Sequence, residues 1–291
     1  MFNVHLLSSA LYERVKSTGA AALAGLTYDQ LNTAAGDSDS YTALHYAAKA
    51  GDAASVKLLI AAKADIEMKA CYGEYTPLRF AVDANSLPAA QALLQAGADV
   101  NAQDVDSETP LHIAYRKHMV KAKESTADGS PSSSEGTTRA AGHCGCTHSD
   151  EAGTCAIADL LLQHKADPNL AESCFFRTPL NYALQHNAGA ATVLRLAAAG
   201  AALAQLPKED ADSETTPACD SAVSVEQVAA LAACGADFLA SNNCQEILNK
   251  ANDKREFERV KKRCLEMKQD VCEQFRMQVM KAEVMKADKN K

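Results

Sequence analysis

Apolar side chains recur along this chain in two rhythms. In the shorter one, Leu78, Phe80 and Ala81, and again Leu180, Tyr182 and Ala183, fall on one face of a helix. A second apolar stretch such as Ala90-Gln91-Ala92-Leu93-Leu94 follows each after a few residues. In the longer one, Phe257, Val260, Cys264, Met267 and Val271, then Phe275 and Val279, keep a spacing of three to four. That stretch predicts one helix of about thirty residues, roughly 45 Å long at 1.5 Å per residue. Near the start, Leu6, Leu7, Leu11 and Val15 share a face between Val4 and Gly25. The pattern predicts an all-α chain of short helix pairs that ends in one long helix.

The pairs are marked by a repeated phrase. Thr76-Pro77-Leu78, Thr109-Pro110-Leu111 and Thr178-Pro179-Leu180 are three copies, and Thr42-Ala43-Leu44-His45 is a fourth. Thr42 and Thr76 are 34 residues apart and Thr76 and Thr109 are 33, while Ala64-Asp65 and Ala98-Asp99 repeat at 34. Two landmarks in one register make a tandem repeat, which exposes one long face built from neighbouring units. Thr caps a helix N-terminus through its hydroxyl, and Pro suits the first helical position, where a missing N–H costs nothing. Gly51, Asn85 and Asn187 sit where the chain must turn left-handed after each first helix, and Gly97 ends a second helix the same way. Lys63 and Lys165 occupy that Gly position elsewhere, at an expected cost of roughly 1 kcal/mol each.

The register fails in two places. From Thr109 the turn at Lys165 comes 56 residues later instead of 21 or 22, so the third unit carries an insertion of about 35 residues, 119–154, at a turn where His118 replaces Gly or Asn. Thr216-Pro217 and Gly235-Ala236-Asp237 bracket a fifth unit whose first helix must be short.

These residues resemble the ankyrin repeat: a T-P-L-H opening, a small-residue first helix, a second helix ending in L-L and a G-A-D turn. The resemblance runs from Thr42 to Phe238. It implies an all-α repeat solenoid of stacked antiparallel helix pairs with short β-hairpin loops, plus the long C-terminal helix. The expected organisation is a degenerate capping repeat over 1–40, about five repeats over 41–240 and a helical extension over 241–291. The family binds other proteins and places its contacts on the concave side. Carried over by position, those contacts are Tyr41, Tyr75, Glu108 and Arg177 near the hairpins, and Lys49, Asp83, Arg116 and Gln185 late in the first helices. Tyr and Arg are frequent hot spots. Tyr46, Phe80, Ile113 and Tyr182 are expected in the core, and the pattern has His45 and His112 hydrogen-bonding within their repeats.

Charge separates the body from the tail. From Asp253 onward there are 12 Lys or Arg against 8 Asp or Glu, leaving 17 against 29 in the rest. The long helix then has two possible uses: it folds back on the last repeat, or the part beyond Met267 leaves the solenoid to dock in a partner's groove or coiled coil. A basic helix suits an acidic surface such as a filament or RNA. Nucleic acid is the weaker case, because Glu266, Asp270, Glu273 and Glu283 interrupt the basic residues and Phe257 and Phe275 lie on the apolar stripe. No apolar run is long enough for a membrane span, and the ten cysteines are scattered as expected of reduced thiols. A cytoplasmic protein is expected, with a cytoskeletal or organellar place left open.

The insertion is where chemistry is most concentrated. Ser125 to Thr138 is rich in Ser and Gly, and then His143-Cys144-Gly145-Cys146-Thr147-His148 is followed by Cys155. Cys144, Cys146, Cys155 and His148 have the donor types of a Cys₃His zinc site. A flexible loop and a redox-active thiol pair are the alternatives. A catalytic Cys146–His148 pair would need a third group to orient the base and a pocket that excludes water, and no Gly-rich phosphate loop precedes a helix. The sequence therefore predicts a non-enzymatic adaptor, or a subunit of a larger assembly, with protein partners and with zinc as the only cofactor it suggests; the alternative is that a zinc-stabilised insertion over 143–155 forms the main contact.

Overall fold

The computed structural model describes residues 7–34, 40–70, 73–118, 155–204, 218–237, 239, 241–250 and 254–289. An N-terminal helix α1 (Leu7–Thr18), a 3-10 turn (Gly19–Leu23) and α2 (Tyr28–Asn32) precede the paired helices. The pairs are α3 (Ala43–Lys49) with α4 (Ala53–Ala61), α5 (Pro77–Asp83) with α6 (Leu87–Ala96), α7 (Pro110–His118) with α8 (Ala156–Gln163), and α9 (Pro179–Gln185) with α10 (Ala190–Ala198). A shortened pair, α11 (Ala218–Ser221) and α12 (Val225–Cys234), is followed by α13 (Asn242–Lys250) and α14 (Lys254–Lys289).

Each phrase starts a helix in the expected way. Thr42 Oγ1 accepts from the amide of His45 and Thr76 Oγ1 from that of Arg79, while the His45 ring returns to the Thr42 amide at 3.0 Å. The left-handed turns also fall where the sequence puts them: Gly51, Asn85, Asn187, Gly97, Lys63 and Lys165 all have positive φ. A further register was not legible. Ser40, Glu74, Ser107 and Phe176, each two residues before the phrase threonine, are left-handed as well, although none is Gly.

First helices stack on first helices, from α3 through α5, α7, α9 and α11 to α13. The core between the rows is small and aliphatic: Ala47, Leu78, Ala81, Leu93, Ile113, Leu161, Leu180 and Leu231 are fully buried. Leu11, Tyr12 and Val15 of α1 seal its N-terminal end against α3 and α4. The turns are joined by a ladder of side chains. Asn32 accepts from the amide of Asp65, Glu67 from Asp99, Asn101 from Asp167 and Asn169 from Ala202, all at 2.7–2.8 Å. This ladder satisfies turn amides that no helix reaches.

Four expectations are refined. The β-hairpins are tight turns with one antiparallel bridge, Ala70–Tyr75, and single hydrogen bonds from Asp104 to the Glu108 carbonyl and from Glu172 to that of Arg177. Among the described residues there is no strand. His118 is not a turn residue: α7 runs through it, two residues longer than α3, α5 or α9. The fifth unit's first helix has four residues, as short as its spacing requires. Its exposed carbonyls are covered from outside, since Asn243 Nδ2 donates to those of Cys219, Asp220 and Ala222. Finally, α14 is 36 residues long and runs back along α12, α10 and α8 rather than leaving beyond Met267. Phe257 and Cys264 are buried in that contact, and Val260 and Phe275 pack against it.

Candidate protein-binding face

The first helices and hairpins line one face of the array, and α14 lies against the second helices on the other. At the N-terminal end of this face Phe80 is a hub. The rings of Tyr41, His45 and Tyr75 meet it edge-on at 5.0, 5.7 and 5.9 Å between centroids. Lys49 Nζ stands 4.8 Å from the Tyr41 centroid and 5.8 Å from that of Phe80. Tyr75 lies over the backbone of Gly73, where a Cβ would come within 2.1 Å of its ring. The Arg79 guanidinium stacks over the Tyr75 ring at 3.5 Å.

Arg79 stands where the phrase has histidine, and it builds a charged centre that the sequence reading missed. Its Nη2 reaches Asp104 Oδ2 at 3.2 Å and Glu108 Oε2 at 3.7 Å, and Arg116 Nη2 pairs with Glu108 Oε2 at 3.0 Å. Tyr182 donates its hydroxyl to Glu108 Oε1 at 3.1 Å. Burial raises the pKa of Glu108, and Arg116 does not fully offset it. Burial and then Glu108 push Tyr182 up to about 12, so its hydroxyl stays a donor. The signal available was Arg79 in a histidine register together with Asp104 and Glu108 in the next hairpin.

Arg177 organises the far end. Its guanidinium packs over the rings of Phe175 at 4.4 Å and Tyr182 at 5.0 Å, and its Nη1 donates to Gln185 Oε1 at 2.9 Å. Its Nε donates to Glu172 Oε1 at 3.3 Å. Burial would raise Glu172, yet the amides of Cys174 and Phe175 and the Arg177 side chain outweigh it and hold the carboxyl below its usual range.

Of the eight residues assigned to the face, Lys49 and Gln185 are exposed, and Tyr41, Tyr75, Asp83, Arg116 and Arg177 are half-buried along it. Glu108 differs from the other seven: its side chain is 6% exposed and pairs with Arg116. Phe80, Ile113 and Tyr182 are buried as expected, whereas Tyr46 is half-exposed. His45 and His112 bond within their repeats, but each Nε2 also meets a carbonyl of the next one, Tyr75 at 3.0 Å and Arg177 at 3.1 Å. Asn181 holds the same register and donates instead to Ser221 Oγ at 2.9 Å.

Of the zinc candidates, Cys144, Cys146 and His148 lie outside the described residues. Cys155 begins α8 and its side chain is buried in the core. Among the described residues no group of three or more His, Cys, Asp or Glu is arranged for a metal ion, and none of the seven cysteines there forms a disulfide. No helix among them is long and apolar enough to cross a membrane.

Comparison with known proteins agrees with this architecture. A family model described as ankyrin repeats (3 copies) matches residues 19–104. Inversin of Gallus gallus is 40% identical over 74 residues, which is 25% of this chain and 7% of inversin. The nuclear factor NF-kappa-B p105 subunit of Gallus gallus is 36% identical over 84 residues, 28% of this chain and 8% of that protein. A transient receptor potential cation channel subfamily A member 1 homolog of Caenorhabditis elegans is 41% identical over 73 residues, 25% of this chain and 6% of the channel. The chain thus spans less than a tenth of the length of these relatives.

Proposed function

We propose that this chain, which the ankyrin-repeat family model matches over residues 19–104, is a non-enzymatic protein-binding adaptor or a structural subunit of a larger assembly. Its contact surface is the first-helix face from Tyr41 to Gln185. One observation carries the assignment. That face presents a continuous run of aromatic and cationic side chains, while α14 occupies the second helices behind it from α8 to α12. Tyr and Arg give large contact areas at low entropic cost, and here packing holds them before any partner arrives. The apolar stripe of α14 is turned to the solenoid, so this helix contributes an outward face of charged residues with Met277 and Met280 exposed among them.

The test is a pull-down that compares the Tyr41→Ala/Tyr75→Ala double variant with a chain truncated after Met267. The double variant should lose partners that the truncated chain keeps. The reverse result would move the contact to the helix and replace this reading.

A further inference from the structure

From the vertical order of charge on the first-helix face, we infer that its ligand is an extended acidic segment, rich in Asp and Glu, of a protein partner. The inference rests on the protein-binding role above. The face carries carboxylates and guanidiniums together, and apart from Asp83, which is half-buried like the arginines, the carboxylates paired with the arginines lie deeper. Asp104, Glu108 and Glu172 have side chains only 1, 6 and 3% exposed. Each is spent inside the fold. Asp104 Oδ1 accepts from the amides of Asp106 and Glu108 at 2.9 Å, Glu108 accepts from Tyr182, and Glu172 accepts from the amides of Cys174 and Phe175.

Above them stand the cations. Arg116 is 38% exposed, Arg177 23%, and Lys49 projects beyond Tyr41 and Phe80. Glu108 orients Arg116 and Glu172 orients Arg177 from below, while Lys49 lies over the Tyr41 ring. Solvent meets the positive side of each pair. Arg177 also takes the Gln185 carbonyl oxygen, which leaves the Gln185 amide N–H groups directed away from that bond. Arg116, Arg177 and Gln185 together offer planar donors suited to carboxylates.

Whole-molecule charge argues against a nucleic acid here. The body before Asp253 carries 17 Lys or Arg against 29 Asp or Glu. A long polyanion would pass from the cationic strip onto acidic flanks, whereas a short acidic segment stays on it. Phe175, 65% exposed beneath the Arg177 guanidinium, gives such a segment an apolar edge.

The experiment titrates the full chain with a fluorescein-labelled glutamate-rich peptide, a lysine-rich peptide of equal length and a single-stranded oligonucleotide, with fluorescence anisotropy as the readout. The glutamate peptide should bind best and weaken as salt is raised. Arg116→Gln and Lys49→Gln should together weaken it by about tenfold or more. Lys49→Gln alone leaves the Glu108 centre intact, so its smaller loss separates ligand contact from folding, and thermal melts check the fold of each variant. Unchanged affinity in the double charge variant, or an oligonucleotide that binds as tightly as the glutamate peptide, would overturn the inference. A lysine-rich peptide that binds best and is lost in Tyr41→Ala/Tyr75→Ala would remove the acidic ligand but leave the protein-binding role standing. Binding of every peptide that ignores both sets of variants would remove both.

Discussion

His45 and His112 sit fully buried between repeats, and burial, only partly offset by their carbonyl partners, lowers both pKa values from the usual 6.5 to about 4. The sign comes from which state takes up the proton. An unfolded chain protonates these rings below 6.5 while the folded one resists down to about 4, so stability present above 6.5 is lost as pH falls through that window. Between pH 7.5 and pH 5 each histidine should cost about 2 kcal/mol. Burial raises Glu108 and Asp159, which works in the opposite direction. The comparison that isolates the effect is therefore His112→Asn, which places in the third repeat the residue type that Asn181 supplies in the fourth. Its urea midpoint should be lower than that of the wild type at pH 7.5 but fall less on acidification, and parallel pH profiles would exclude the histidine as the cause. The histidine register was legible because the phrase places it; the reach of Nε2 to the next repeat was not, since its acceptor is a backbone carbonyl. Gly73 was equally silent in the sequence. Gly73→Ala should push the Tyr75 ring off Arg79 and cost roughly 1–3 kcal/mol, measurable by thermal melting.

The long helix α14 shows how far an amphipathic pattern carries. Its stripe from Phe257 to Phe275 could be read from spacing alone, but a stripe does not name the surface that covers it. Both the solenoid and a partner satisfied the pattern, and the structure assigns the solenoid. One polar contact fixes the register: Lys268 Nζ donates to the Ala233 carbonyl at 3.0 Å, at the negative end of α12. Lys268→Met keeps the length and apolar stem while removing the charge, and should destabilise the docked helix by about 1 kcal/mol. Limited trypsin digestion should then cut within 254–289 faster than in the wild type; equal rates would mean the apolar stripe suffices. The same limit applies to the third repeat. Its split was legible from the register, yet the extension of α7 through His118 was not, because whether a helix stops at a former turn position depends on the chain beyond that position.

A repeat array is held by contacts between neighbours, and its weakest unit sets where it opens first. Here the fifth unit has a four-residue α11 whose carbonyls Asn243 covers, and the buried Gln227 side chain of α12 ties the unit to the fourth by donating to the carbonyls of Leu184 and Ala188. Alone, so short a helix would fray. In this molecule α14 spans α12, α10 and α8 and converts nearest-neighbour contacts into one that crosses three units. The helix is basic and the body acidic, so long-range attraction adds to the apolar contact and is screened by salt. Native-state hydrogen exchange should therefore show α10 and α12 opening together, at one free energy, in the full chain. In a chain ending at Asp253 the amides of α12 should lose protection first and α10 next, while α3 and α5 keep theirs. Protection of α12 that survives the truncation would show that the fifth unit is stable through α11, α13 and Gln227 alone, and that α14 is a passenger on the solenoid and not its strap.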